Sequence, residues 1–182
     1  LEPDSWQALF SNLFSRYRNK TDVFEYILNR YGVAKNELLD QYRNHIPQIQ
    51  PFDGVIALFE EIKKREGKIG LITDGRSTTQ NNKIVALGLK SYFDHCVISE
   101  ELGSEKPNEL NYRTIESNLA CDTYFYIGDN LKKDFITPNY MGWQTIGLLD
   151  NGLNIHSNAY EYQENKFLPH TFISRINEIK IL

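Results

Sequence analysis

Apolar positions along this chain fall into two rhythms, and the change between them divides the sequence. Through the first fifty residues the spacing is three-and-four. Trp6, Leu9, Phe10, Leu13, Phe14 and Tyr17 share one helical face behind Asp4, a candidate N-cap. A second helix is predicted behind the cap candidate Thr21, with Val23, Phe24, Ile27, Leu28 and Tyr31 apolar and Gly32 as its stop. A third starts at Asn36 and carries Leu38, Leu39 and Tyr42. Segment 45–51 then holds Pro47 and Pro51, which forbid a regular helix and predict an extended connector. The chain therefore reads as a helical unit over 1–47 and a second unit over 48–182.

In the second unit helices and short strands alternate. Val55, Leu58, Phe59 and Ile62 form an amphipathic stripe that ends at Gly67. Strands are predicted at 68–73, 95–99, 124–127 and 143–148, with a last short one at 171–173. Helices are expected between them, one reaching Leu87-Gly88, one starting near Pro107 and one around Phe135. Short apolar runs between helices indicate an α/β fold, a parallel sheet with helices on both faces. Residues 151–166 are polar and read as a long surface loop, and no internal repeat or low-complexity tract is visible.

Composition narrows the function classes. The 182 residues are 41% hydrophobic and 24% charged, with a net charge of -4, as in an ordinary soluble domain. No basic stripe suits nucleic acid; Lys63-Lys64-Arg65 and Lys132-Lys133 read as solvated helix faces. No apolar run reaches the roughly 18 residues of a membrane span. Cys96 and Cys121 lie far apart within apolar surroundings and read as buried free thiols, which fits a reducing cytoplasm. The first residues, Leu1-Glu2-Pro3-Asp4, lack the pattern of a signal peptide and an initiator Met, so the expectation is that the chain does not begin at a natural start.

Candidate chemistry gathers where strands end, the place at which open parallel sheets bind ligands. Thr73 offers a hydroxyl and Asp74 and Gly75 offer backbone N–H groups to a phosphate; a routine strand-to-helix turn reads equally well. Lys106 is a point charge for a phosphate or a carboxylate, or an exposed lysine. Asp129 and Asp134 follow Gly128 five residues apart. They suit an oxygen-preferring cation such as Mg²⁺, or else act as a cap and an exposed helical residue. Arg76 and Asn130 are candidate substrate contacts. The aromatic stripe of the first helix reads as core before it reads as a substrate face, and His45 as a residue satisfying buried backbone. Gln80, Asn81 and Asn82 read as helix caps or helix decoration.

Taken together and in order, Thr73-Asp74-Gly75, Lys106-Pro107 and Gly128-Asp129-Asn130 with Asp134 resemble the haloacid-dehalogenase-like (HAD) superfamily. Segment 71–89 resembles its second motif and the helix behind it. Segment 128–143 resembles its fourth, and the helical stretch resembles the small cap inserted after the first motif. The resemblance implies a HAD-like Rossmannoid sheet with an all-helical cap. It also implies a Mg²⁺-dependent phosphomonoester hydrolase acting on a small soluble metabolite through an aspartyl-phosphate. Thr73 would hold the phosphoryl group, Lys106 would neutralise nucleophile and phosphate, and Asp129 and Asp134 would organise Mg²⁺.

One block of that pattern is absent. The family's first motif is a strand ending in Asp-x-Asp, which supplies the nucleophile and the general acid/base, and no Asp-x-Asp occurs in this sequence. By the resemblance that strand lies in the middle of the sheet, between the strands ending at Thr73 and Ile127. Without it two buried edges lose their partners, at about 1–3 kcal/mol per unpaired group, so the chain alone is expected to be unstable and inactive. Three explanations are carried forward: an N-terminal segment outside this sequence, a short form whose flanking strands pair directly at about 4.8 Å, or a strand from a second chain. The functional rival is a catalytically inactive HAD-like phosphate-binding or regulatory module. A metal-free dehalogenase is disfavoured by the paired aspartates.

Overall fold

The computed structural model describes residues 5–152, 154–156 and 158–181. Three helices come first: α1 (Trp6–Arg18), α2 (Val23–Tyr31) and α3 (Lys35–Asn44). Asp4 lies outside the described residues; Ser5 caps α1, its side chain accepting from the Ala8 N–H. Asp22, not Thr21, caps α2 by accepting from the Glu25 N–H at 3.0 Å, and Gly32 ends it in the left-handed conformation.

After the connector come α4 (Val55–Lys64), β1 (Gly70–Thr73), α5 (Ser77–Ala86), β2 (His95–Ile98), the short α6 (Ser99–Leu102) and α7 (Glu109–Leu119). Then follow β3 (Phe125–Gly128), α8 (Ile136–Tyr140), β4 (Gln144–Leu148) and β5 (Thr171–Ile173). Pro107 sits just before the α7 cap Asn108 and not inside the first turn. Residues 151–166 hold no α-helix or strand among those described, apart from 3₁₀ turns at Ala159–Glu161 and Asn165–Phe167.

All strand pairings are parallel, but the sheet is divided: β1 pairs with β2, and β3-β4-β5 form a second group. β1 and β3 share no ladder among the described residues, which overturns direct pairing of the strands that end at Thr73 and Gly128. On β3, Phe125 is 66% exposed and Ile127 38%, although both belong to a strand with a buried Tyr126 between them.

Helix α7 holds the two halves together. Its Tyr112, Ile115 and Leu119 pack with Ile72 of β1, Val97 of β2, Tyr126 of β3, Phe135 and Trp143 in one buried cluster. Tyr112 meets Trp143 edge-on at 5.7 Å, and the Trp143 indole N–H donates to Glu116 at 2.9 Å, which satisfies its polar end. On the opposite face α4 lays Leu58 against Ile173 and Ile176, with Ile146 and Leu148 beside them. Helices thus cover both faces, as the alternating pattern predicts.

The helical unit differs from expectation. None of α1, α2 and α3 buries a residue, and Trp6, Phe10 and Tyr17 are 72%, 60% and 52% exposed. The stripe is amphipathic in sequence yet is not core here: α2 covers only part of it, leaving Leu9, Leu13 and Phe14 half-buried and the rest exposed. His45 is exposed as well, and it is its carbonyl that accepts, from Asn82. Both cysteines are free and half-buried, and burial pushes the Cys96 thiol up.

Candidate active site

The site is assembled at the carboxyl ends of β1 and β3 by short turns whose geometry the sequence dictates. After β1 the chain reverses through Gly75 at φ +130°, a region that favours glycine. After β3, Gly128 makes room: a Cβ there would lie 2.6 Å from the Asp134 Oδ2, so any side chain would displace that carboxylate.

Asp134 is the hub. It is 2% exposed, and each oxygen has two donors. Oδ1 accepts from the Lys106 ammonium at 2.7 Å and the Tyr126 hydroxyl at 3.3 Å. Oδ2 accepts from the backbone N–H groups of Asp129 at 3.1 Å and Asn130 at 2.9 Å. A buried carboxylate is costly unless paired and hydrogen-bonded in this way. Its charge also reaches the neighbouring phenols: burial first, then Asp134, hold Tyr126 and Tyr112 well above the usual tyrosine range. Asp134 is therefore not the exposed helical residue that one reading of the sequence predicts; its oxygens hold Lys106 and the Asp129 turn.

Asp129 is placed differently. No other side chain hydrogen-bonds its carboxylate among the described residues, and its tip is open to solvent. The packed surroundings raise its pKa, Asp134 raises it further, and His156 and Lys106 act in the opposite sense. An excess of negative charge with oxygen donors only is the chemistry that a hard divalent cation matches. Among the described residues no group of three His, Cys, Asp or Glu side chains that could hold a metal ion gathers there.

Around β1, the Thr73 hydroxyl donates to Gln80 at 3.1 Å, and the Gln80 amide donates to the Asp74 carbonyl at 3.0 Å. The Gly75 N–H donates to the buried Ser99 hydroxyl at 2.8 Å, so this donor faces protein where the sequence suggested phosphate. Asp74 accepts from the Lys106 N–H at 3.0 Å and from the Lys133 ammonium at 3.0 Å, and Lys133 also reaches Glu105 at 3.2 Å. Lys133 is therefore no solvated helix lysine; it clamps the turns after β1 and β3.

The remaining candidates lie at the edge. Arg76 is exposed and pairs with Glu100 at 3.3 Å, and the Asn130 side chain accepts from the Lys132 N–H at 3.1 Å within its own turn. Gln80, Ser99 and Lys133 are the site residues that motif reading missed. Gln80 and Ser99 sit within hydrogen-bond reach of Thr73 and Gly75, a three-dimensional fact without a local sequence signal. A separate cavity of about 420 Å³, lined by Cys121, Tyr124 and Trp143, opens at the other end of β3 and β4.

In this parallel α/β core Thr73 ends β1, and Lys106 links Asp74 to Asp134, which holds the Asp129 turn after β3; the chain matches the model of one class of protein, haloacid dehalogenase-like hydrolase, over residues 6–148. The protein belongs to this family. Among its relatives, the pyrimidine 5'-nucleotidase YjjG of Escherichia coli is 30% identical over 163 residues, 87% of this chain and 68% of that protein. The glyceraldehyde 3-phosphate phosphatase of Methanocaldococcus jannaschii is 26% identical over 132 residues, 70% of this chain and 58% of that one. A structure of the HAD-hydrolase YfnB of Bacillus subtilis, described as bound to magnesium, superposes with a TM-score of 0.62 at 20% identity, covering 95% of this chain and 78% of that one. The chain spans 58% and 43% of the length of two archaeal phosphatases that it matches. Among the described residues no helix is long and apolar enough to cross a membrane.

Proposed function

We propose that this chain is the greater part of a Mg²⁺-dependent phosphomonoester hydrolase acting on a small soluble phosphorylated metabolite in the cytoplasm. The observation that carries the reading is the ring in which Lys106 binds Asp134 at 2.7 Å while Asp134 fixes the Asp129 turn. That ring fixes a cation-seeking carboxylate and an ammonium relative to one another at the strand ends. Relatives named for a nucleotide and for a triose phosphate support the monoester class and leave the choice between them open.

In this reading Thr73 rotates from Gln80 to donate to a phosphoryl oxygen, and Lys106 offsets charge that develops on that group. Asp129 would hold Mg²⁺, with Asp134 steering it from behind; the bound ion supplies positive charge to the phosphoryl oxygens. The nucleophile belongs to the family's Asp-x-Asp strand, placed by this proposal between β1 and β3, which share no ladder among the described residues. The test is p-nitrophenyl phosphate turnover by a polypeptide that includes that strand, with and without Mg²⁺. Inertness of that polypeptide, or an Asp129→Asn variant with an unchanged rate, ends the proposal.

The second reading, an inactive phosphate-binding module, is favoured by the absence of Asp-x-Asp from this sequence. Phosphate or Mg²⁺ binding without turnover by the intact protein decides for it.

A further inference from the structure

Arg18 ends α1, yet its contacts lie far along the chain. Its guanidinium sits 4.6 Å from the Phe14 ring centroid, and Nη2 donates to the carbonyls of Gly152 at 3.3 Å and Asn154 at 3.0 Å. Among the described residues these are the only side-chain hydrogen bonds from α1 to the α/β unit. Arg16, two residues earlier, stays within the helical layer, bonding Asn12 and stacking on Tyr26. No acidic side chain pairs with Arg18 among the described residues, and its Nε is buried without a partner. Arg18 is thus held by two neutral carbonyls and a ring and not by an ion pair.

The place it reaches is one residue from the cation carboxylate. Asn154 donates from Nδ2 to the Asp129 carbonyl at 3.2 Å. The Asn154 loop is itself internally braced. Asp150 accepts from the N–H groups of Gly152 at 2.7 Å and Asn154 at 3.1 Å, and the Asn154 side chain accepts from the His156 N–H at 2.7 Å. Asn154 thus meets Arg18 through its carbonyl and the Asp129 backbone through its side chain, so one residue bridges the two.

We propose that Arg18 is a positioning residue that couples the helical layer to the cation site, tying α1 to the loop whose Asn154 holds the Asp129 backbone. Docking of α1 and the set of the Asp129 carboxylate then become one event, so the cation is held best when the helical layer is in place. The proposal depends on the Mg²⁺ reading above only in the part of its test that uses Mg²⁺.

Four variants of the intact protein test it: Arg18→Leu, Arg18→Lys, Asn154→Ala and the double Arg18→Leu/Asn154→Ala. The amides of Asp129 and Asn130, both bonded to Asp134, report the site by hydrogen exchange. Arg18→Leu is expected to speed their exchange about fivefold, together with that of 150–156, with α7 unchanged. Mg²⁺ affinity by calorimetry is expected to fall about tenfold in Arg18→Leu and in Asn154→Ala. Arg18→Lys, which can still donate to both carbonyls, should return it to within about twofold. The double variant is expected to be no weaker than Asn154→Ala alone. Unchanged exchange at 129 and 130, or additive losses in the double variant, overturns the coupling. If Mg²⁺ binds none of the proteins, the cation reading fails and the exchange data alone decide on Arg18. If Arg18→Leu does not fold, Arg18→Lys and Asn154→Ala decide by the same two amides.

Discussion

The helical layer and the α/β unit carry equally regular apolar patterns but use them in opposite ways. Tyr112 on α7 and Phe135 just before α8 are 0% exposed, whereas Phe10, on the amphipathic α1, is 60% exposed and stacks on its neighbour Phe14 at 5.6 Å. Periodicity thus specifies which face of a helix wants burial; a second element decides whether it is buried. In the α/β unit α7 finds both halves of the sheet, and in the helical layer α1 meets α2 and open solvent.

The comparison breaks most visibly if the two phenylalanines are exchanged for alanine. Phe135→Ala is expected to cost about 3–5 kcal/mol by urea denaturation of the intact protein, through lost transfer energy and the cavity left among Tyr126 and its neighbours. Phe10→Ala is expected to change stability by less than about 0.5 kcal/mol. A large loss at Phe10 would mean that the stripe is covered in the intact protein.

A smaller effect is expected at the hub. Lys106→Met leaves Asp134 buried with its ammonium partner gone, and the cost is expected at about 3 kcal/mol. The remaining N–H and O–H donors keep it from being larger. Replacing both residues, Lys106→Met with Asp134→Leu, should recover part of that stability while abolishing turnover. Recovery without loss of turnover would remove both from the site.

How much of this was legible in the sequence follows the same division. Strand positions, the α/β order and the places of Thr73 and Asp129 at strand ends could be read, because each depends on neighbours within a few positions: Gly128 before Asp129, an apolar run before Thr73. The absent motif left three arrangements of the sheet open, of which the structure contradicts one, direct pairing of β1 with β3. What could not be read were the partners of those residues. Lys133 looked like surface charge because its match, Asp74, is fifty-nine positions away. Ser99 was visible only as the end of a strand, since its bond to Gly75 crosses between two loops. The exposure of α1 could not be read either, since a stripe carries no record of what lies against it.

Titration of Asp129 separates the two regions by pH. Its pKa is raised above the ordinary 3.8 by burial and by Asp134, so the folded state holds this proton more tightly than the unfolded chain. Stability is then expected to fall as pH rises through the window between that value and the raised one, and the charged form stays unfavourable above it. Asp129→Asn removes the fall, so without Mg²⁺ the variant should melt slightly higher than the parent at neutral pH. With Mg²⁺ the order should reverse, because the parent alone gains from binding. Melting curves against pH with and without Mg²⁺ read both signs, and a parent that gains nothing from Mg²⁺ contradicts the cation role.

The smallest effect tests whether the two regions unfold together. Asp22 accepts from the Glu25 N–H at 3.0 Å and caps a helix that buries no residue. Asp22→Ala is expected to cost about 1 kcal/mol locally. If the helical layer opens by itself, amide exchange over α2 should rise several-fold while the urea midpoint of the α/β unit, followed by the buried Trp143, stays where it was. Among the described residues the side-chain hydrogen bonds between the regions are few: Arg18 to the carbonyls of Gly152 and Asn154, and Thr79 and Asn82 to the carbonyls at the end of α3. A midpoint that shifts with Asp22→Ala would show that these ties suffice to make one cooperative unit, and the contrast between an open layer and a closed core would then describe burial but not stability.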